Sequence, residues 1–386
     1  MVNALIKLME NTFFKECQVE SALAEFILNQ PKLSMGEQTL KFEADFAQWH
    51  QRDYCVMVNS GSSANLVLLA ALLNLERLKK GDRVGVSAVT WSTNVMPIIQ
   101  LGLIPVLIDV ESDDINISRR TVAQYGKDIK ALFVTNVLGV QNHIIDIESY
   151  CREHDILLLE DNCEALGAKV GDQMLGNYGV ASTSSSFVGH HFSTVEGGYI
   201  FCDDPELAAM CKVVRAHGWT RNLRNEEKVL LGCASVDSFN DAYTFEYCGF
   251  NVRPSELNAL AGTLQLPYLE KFNKIRAERF DHASRKLCSN IYRGGEINPV
   301  FALPLRAESE KHRTKILADL SEGGIEFRPI ISGSMGSQPF WSRIFGEQRM
   351  PNSQKVDCCG FYVSNDPQLD EDAFLYLIDA LEKAFQ

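Results

Sequence analysis

Along this chain, short runs of aliphatic and β-branched residues alternate with stretches of helical spacing. Residues 55–58, Cys-Val-Met-Val, read as a buried strand. That strand ends in Asn59-Ser60-Gly61-Ser62-Ser63-Ala64-Asn65, and the Leu/Ala-rich run 66–73 that follows is built from strong helix formers. Residues 83–87 form the next expected strand, with a helix starting near Ser92. Further strands are expected over 106–110, 131–136, 156–160 and 199–202, with a helix over 147–154. Such alternation predicts a mostly parallel α/β sheet with helices on both faces. From about residue 254 the pattern changes to a long helical segment, 254–290, followed by short mixed elements. The expected division is a large domain over 1–258 and a smaller C-terminal α/β domain over 259–386. The charged stretch 221–240 reads as a surface loop, and Lys169 sits with Val170-Gly171-Asp172 in an expected hairpin.

Composition narrows the picture. A length of 386 residues, 46% of them hydrophobic, is ample for a core and long for only one. The net charge of -13, without basic blocks, argues against nucleic acid and anionic membranes as partners. Eleven cysteines without repeated spacing read as buried cytosolic thiols. Lys7 and Glu10 interrupt the first apolar stretch, so no signal peptide is expected there. The longest apolar run, 66–73, falls far short of the ~20 residues of a membrane span. A cytoplasmic protein with no metal site is expected.

Several segments carry candidate chemistry. Small residues over 59–65, between a strand and a helix, suit either a phosphate cradle at a helix N-terminus or an ordinary capped turn. Residues 157–164 read as a buried strand running into Glu160, Asp161 and Glu164. A carboxylate at such a strand end either partners a protonated ring nitrogen or caps the next helix. Trp91 opens a helix just past a strand and either stacks on a flat ligand or joins the core. His190-His191 offers a general base or a structural histidine. Residues 249–254 and 217–222 are polar turns carrying His217, Arg221, Asn251 and Arg253, free for a ligand or simply solvated.

Taken in order, Met35-Gly36-Glu37, Asn59-Ser60-Gly61-Ser62, Glu160-Asp161-Asn162-Cys163-Glu164, Glu196-Gly197-Gly198, Arg215-Ala216-His217-Gly218 and 249–254 resemble the DegT/DnrJ/EryC1/StrS sugar aminotransferase family. This is the sugar-modifying branch of the fold-type-I pyridoxal-phosphate enzymes. The resemblance implies the aspartate-aminotransferase fold, with a mostly parallel seven-stranded sheet in the large domain. In most of that family a cofactor-binding lysine stands six residues before the Glu of Thr-x-Glu-Gly-Gly. Here that position is His190, and Lys169, the only lysine between Asp161 and Gly198, is not at it. The chain therefore resembles a lysine-less subgroup, the 3-dehydratases of 3,6-dideoxysugar synthesis.

That subgroup implies pyridoxamine/pyridoxal 5'-phosphate as cofactor and a nucleotide-linked 4-keto-6-deoxy sugar, GDP-linked, losing its C3 hydroxyl. It also implies L-glutamate as amino donor, 2-oxoglutarate as its product and a homodimer with a shared site. By position it implies His190 as acid/base, Asp161 on the pyridine nitrogen and Trp91 stacked on the ring. It implies Ser62, Ser63 and Ser185 on the phosphate, with Asn251 reaching in from the second subunit. Gly61 and Glu164 are counted with the cofactor residues, and His217, Arg221 and Arg253 with substrate or glutamate carboxylate. The competing expectations are a sugar aminotransferase working through His190 and a non-catalytic binding homologue.

Overall fold

The computed structural model describes residues 6–30, 32–141, 143–233, 239–240, 243–295 and 298–386. In chain order the elements are α1 (Glu16–Asn29), α2 (Glu37–His50), β1 (Tyr54–Val58), α3 (Gly61–Asn74), β2 (Arg83–Ser87), α4 (Ser92–Gln100), β3 (Ile104–Ile108), α5 (Arg119–Tyr125) and β4 (Ile129–Thr135). Then come α6 (Ile144–Glu153), β5 (Leu157–Asp161), the hairpin β6 (Lys169–Val170) and β7 (Gln173–Met174), β8 (Ala181–Ser185), β9 (Gly198–Cys202), α7 (Pro205–Val214) and α8 (Asn225–Leu230). The chain continues through α9 (Glu256–Gln265), α10 (Leu269–Leu287), β10 (Leu303–Arg306), α11 (Glu310–Glu322), β11 (Phe327–Arg328), α12 (Pro339–Phe345), α13 (Pro351–Cys359), β12 (Gly360–Val363) and α14 (Glu371–Ala384).

Seven strands form one sheet in the order β1-β9-β8-β5-β4-β2-β3. Only β9 runs against its neighbours, pairing antiparallel with both β1 and β8. The other neighbours pair in parallel. The mostly parallel seven-stranded α/β sheet is therefore present. One face packs against α3, α4 and α7 through Val67, Leu68, Val95 and Val213. The other meets α6, α10 and the C-terminal elements through Ile147, Phe280 and Leu377. A separate three-stranded sheet, β10-β12-β11, lies wholly after residue 300. Among the described residues no helix is long and apolar enough to cross a membrane.

The structure corrects several sequence boundaries. The strand expected over 106–110 is β3, two residues earlier, because Pro105 sits within it. Proline lacks an amide donor but is tolerated here, since β3 is an edge strand. The loop expected over 221–240 contains α8, capped by Glu227, which accepts the Arg224 N–H at 2.8 Å. Of that stretch, 234–238 lies outside the described residues. The helical segment 254–290 is split at Leu266–Tyr268, a single 3-10 turn containing Pro267, into α9 and α10. Strand β8 has no counterpart among the expected elements.

Two buried acids hold the framework. Glu256, on α9, accepts from the Gly36, Gln38 and Thr39 amides at 2.6, 2.8 and 3.0 Å and from Thr39 Oγ1 at 2.6 Å. It thereby satisfies the free N–H groups that open α2. Glu43 of α2 pairs with Arg215 at 2.5 Å and accepts the Met57 amide at 2.7 Å, tying α2 and the end of α7 to β1.

Candidate active site

The strand ends of β4, β5 and β8 and the N-termini of α3 and α4 meet around a cavity of about 700 Å³. Asp161, last in β5, is 5% exposed and lines it. One carboxylate oxygen accepts from Asn65 Nδ2 at 2.9 Å and Asn94 Nδ2 at 2.7 Å. The other accepts the Cys163 amide at 2.9 Å. Thr183 Oγ1 donates to Asn65 Oδ1 at 2.6 Å, which turns the Asn65 amide nitrogen toward the acid. Three N–H donors thus converge on the Asp161 carboxylate and fix its direction.

Ser60 caps α3 by accepting the Ser63 amide at 3.1 Å. At Gly61 an added Cβ would sit 2.7 Å from Ser185 Cβ, so only glycine lets the helix start lie against the end of β8. At Gly198 an added Cβ would lie 2.0 Å from the Ser60 carbonyl oxygen, which accounts for the second glycine of the Glu-Gly-Gly run. The exposed Ser62 and the buried Ser185 line the cavity. Ser63, expected beside them, is turned into the cap, where its hydroxyl donates to Asn59 Oδ1 at 2.6 Å; Ser60 lines the cavity instead. Trp91 is the N-cap residue of α4 and 53% exposed, so it is a wall of the cavity and not a core tryptophan.

The two histidines have separate surroundings. They sit in a loop closed by backbone bonds from Ser186 to Gly197 and from Val188 to Val195, each 3.1 Å. His190 is half-buried, its ring edge-on to Phe187 at 5.9 Å and to Phe301 at 5.7 Å. Burial pushes its imidazole down to about 4, against the pull of the Asp161 carboxylate and the Ser185 backbone. It is therefore neutral and able to accept a proton at physiological pH. His191 is 2% exposed. Its Nε2 meets the Pro299 carbonyl at 3.2 Å, and its own carbonyl accepts from Arg276 at 3.2 Å. Burial holds its imidazole well below the usual range, so Nε2 carries the proton in a neutral ring. Glu164 also lines the cavity and accepts the Leu138 amide at 3.3 Å; burial raises its carboxyl to about 7. Lys169 lies in the β6–β7 hairpin, as expected, and away from the cavity. Among the described residues the lining lysine is Lys7.

Lys7 belongs to a strap, residues 6–14, laid along the cavity. Ile6 bridges to Ile325, and the amides of Leu8, Glu10 and Phe14 donate to Glu326, Asp366 and Gln265 at 2.9, 2.7 and 3.0 Å.

Besides Ser63, four expected residues, His217, Arg221, Asn251 and Arg253, lie outside this cavity. They form a cluster of their own around Trp219. The Arg221 guanidinium lies 3.3 Å from the indole centroid, Arg253 lies 5.5 Å away, and the His217 ring is at 4.8 Å. Asn251 is exposed and accepts from Arg253 at 3.0 Å. Sequence reasoning placed Ser60 and Asn65 only within the candidate phosphate cradle 59–65 and assigned no role to Asn94, Arg276 or Phe301. A polar residue inside a helix start is a weak signal, and the partners of these residues are distant in sequence.

The model of the DegT/DnrJ/EryC1/StrS aminotransferase family matches residues 16–382. The chain belongs to that family, whose members of solved structure share this fold-type-I architecture. It is 36% identical to GDP-4-keto-6-deoxy-D-mannose 3-dehydratase of Yersinia pseudotuberculosis, over 88% of this chain and 89% of that one. It superposes on the Escherichia coli GDP-4-keto-6-deoxy-D-mannose 3-dehydratase with bound hydrated PLP with a TM-score of 0.91, at 32% identity, covering 99% of this chain and 100% of that one. A structure of GDP-4-keto-6-deoxymannose 3-dehydratase with a trapped PLP-glutamate geminal diamine superposes with a TM-score of 0.90 at 31% identity, covering 99% and 100%.

Proposed function

We propose that this protein is a pyridoxamine/pyridoxal-phosphate-dependent 3-dehydratase that removes the C3 hydroxyl of GDP-4-keto-6-deoxy-D-mannose, with L-glutamate as amino donor. The observation that carries the reading is a neutral, half-buried histidine, His190, in the cavity that also holds Asp161, on a run where the family keeps its lysine.

The residues present fit the cofactor. A carboxylate fixed by two amides, an exposed indole and a helix N-terminus whose first glycine cannot accept a side chain are the parts a phosphorylated pyridine needs. Asp161 would hold the proton on the ring nitrogen, Trp91 would cover the ring, and Ser62, Ser185 and the α3 N-terminus would hold the phosphate. Pyridoxamine phosphate, when bound, supplies the amine that joins the sugar's C4 ketone and the ring that withdraws electrons. His190 takes up a proton there and returns it to the departing C3 oxygen. The surrounding Phe187 and Phe301 rings limit water at that imidazole. In net terms glutamate and the 4-keto sugar give 2-oxoglutarate, ammonia and the 3-deoxy-4-keto sugar. The oxygen lost from the sugar reappears, by way of water, in 2-oxoglutarate.

On the same reading the enzyme is a cytoplasmic homodimer. The cluster of His217, Arg221, Asn251 and Arg253, unused by its own chain's cavity, then serves the partner's site. The chain divides near residue 258 into a cofactor-holding part and a smaller C-terminal part. The test is to load the protein with PLP, add L-glutamate, and follow the visible spectrum and 2-oxoglutarate. The 4-keto sugar is then added and its product weighed by mass spectrometry. Loss of oxygen supports dehydration; gain of nitrogen with retention of the C3 hydroxyl would replace it by a sugar aminotransferase.

A further inference from the structure

Three arginines are buried among the described residues, and one of them lines the cavity without forming an ion pair. Arg215 is paired with Glu43. Arg279 spends its guanidinium on the carbonyls of Asp366 and Leu369, at 2.5 and 2.6 Å. Arg276, three residues before it on α10, is 5% exposed and lines the cavity. Among the described residues its one contact through a guanidinium N–H is the 3.2 Å bond to the His191 carbonyl, and its Nε is buried with no partner. Among the described residues it forms no ion pair. The nearby Asp366 carboxylate is occupied by the amides of Glu10 and Gln368, at 2.7 and 3.0 Å.

A buried cation left unpaired is costly, and on a cavity wall the natural compensation is an anionic ligand. A guanidinium presents paired donors whose geometry matches a carboxylate. The nucleotide diphosphate is the poorer match. It needs donors spread along a groove, whereas Arg276 offers one recessed fork. Its contact to the loop falls at His191, one residue beyond the base. An anion held there is displaced from the reacting carbon, which suits the far end of a dicarboxylate.

We propose that Arg276 binds the distal carboxylate of the dicarboxylic amino donor and so selects it over monocarboxylic amino acids; this rests on the L-glutamate half-reaction proposed above. Arg276→Met and Arg276→Lys test it. With Arg276→Met the KM for L-glutamate in the amination half-reaction rises by about 100-fold, the loss of one charge-assisted contact. Any L-alanine turnover, and the sugar half-reaction started from preloaded pyridoxamine phosphate, lose far less than the glutamate half-reaction. Arg276→Lys recovers part of the glutamate preference. Calorimetry with glutarate, on protein with and without PLP, shows binding to the wild type that Arg276→Met abolishes. Equal losses in both half-reactions overturn the proposal, because Arg276 would then only hold the histidine loop. Weakened sugar binding with unchanged glutamate also overturns it, as does failure of wild-type protein to bind glutarate. If glutarate binds through Arg276 but L-glutamate yields no 2-oxoglutarate, the donor assigned above falls and the dicarboxylate site stands.

Discussion

Asn94 donates a 2.7 Å hydrogen bond to Asp161, on the same oxygen that Asn65 reaches at 2.9 Å. The two asparagines come from different helices, so Asp161 is aimed by the packing of α3 and α4 as well as by its own strand. Asn94→Ala removes one charge-assisted bond, worth about 1.5–3 kcal/mol. Retention of PLP, measured by fluorescence during dialysis, should weaken by about tenfold or more, with the far-UV circular dichroism unchanged.

His190→Asn keeps the cavity's shape and removes the base. PLP binding should persist while dehydration falls by about 10²–10⁴. A native rate in this variant would show that another group moves the proton. His190→Lys should give a visible band from cofactor held by the new lysine, and no 3-deoxy product.

The pH profile follows from two opposed shifts. His190, depressed to about 4 by burial, is neutral above that pH, so kcat/KM should fall only as pH drops toward 4, not toward 6.5. Glu164, raised to about 7, changes charge near neutrality, and an inflection there should vanish in Glu164→Gln.

His143 meets Asp114 at 3.1 Å, and that hydrogen bond raises the imidazole above its usual value against partial burial. A raised histidine contributes stability that is complete below about pH 6.5 and is lost as pH climbs through the folded value. The Tm difference between wild type and His143→Ala should therefore shrink from pH 6 to pH 9. The pair is partly solvated, so the Tm difference is modest.

Glu256→Ala strands the Gly36, Gln38 and Thr39 amides at the partly buried start of α2. The cost should exceed about 3 kcal/mol, read as a fall in urea midpoint with an unchanged slope.

The sequence showed the sheet where strands are apolar on both faces. Strands β1, β2, β4 and β5 are such runs. It hid β8, whose Ala-Ser-Thr-Ser-Ser reads as a loop although every residue is buried between β5 and β9. Those hydroxyls are there for partners that chain reading cannot place, such as Thr183 for Asn65. The site was legible to the same extent. Gly61, Ser62, Trp91, Asp161, Glu164, Ser185 and His190 do converge on one cavity. The Trp219 cluster does not join them within one chain. Arg276 was hidden inside an ordinary charged helix, since its meaning comes from what it lacks.

The strap over residues 6–14 is tied down both by its amides, those of Ile6, Leu8, Glu10 and Phe14 reaching acceptors on Gly324, Glu326, Asp366 and Gln265, and by the buried side chains of Ile6 and Phe13 and the Phe14 ring against Tyr268 and Phe272. Its grip is thus divided between backbone and side chains. Evolution or an engineer can redecorate Leu8 and Glu10, held through their amides, without loosening the segment, provided no proline removes one of the four donors. An alanine scan would find Ile6, Phe13 and Phe14 and pass over those two positions, where a proline scan would find them.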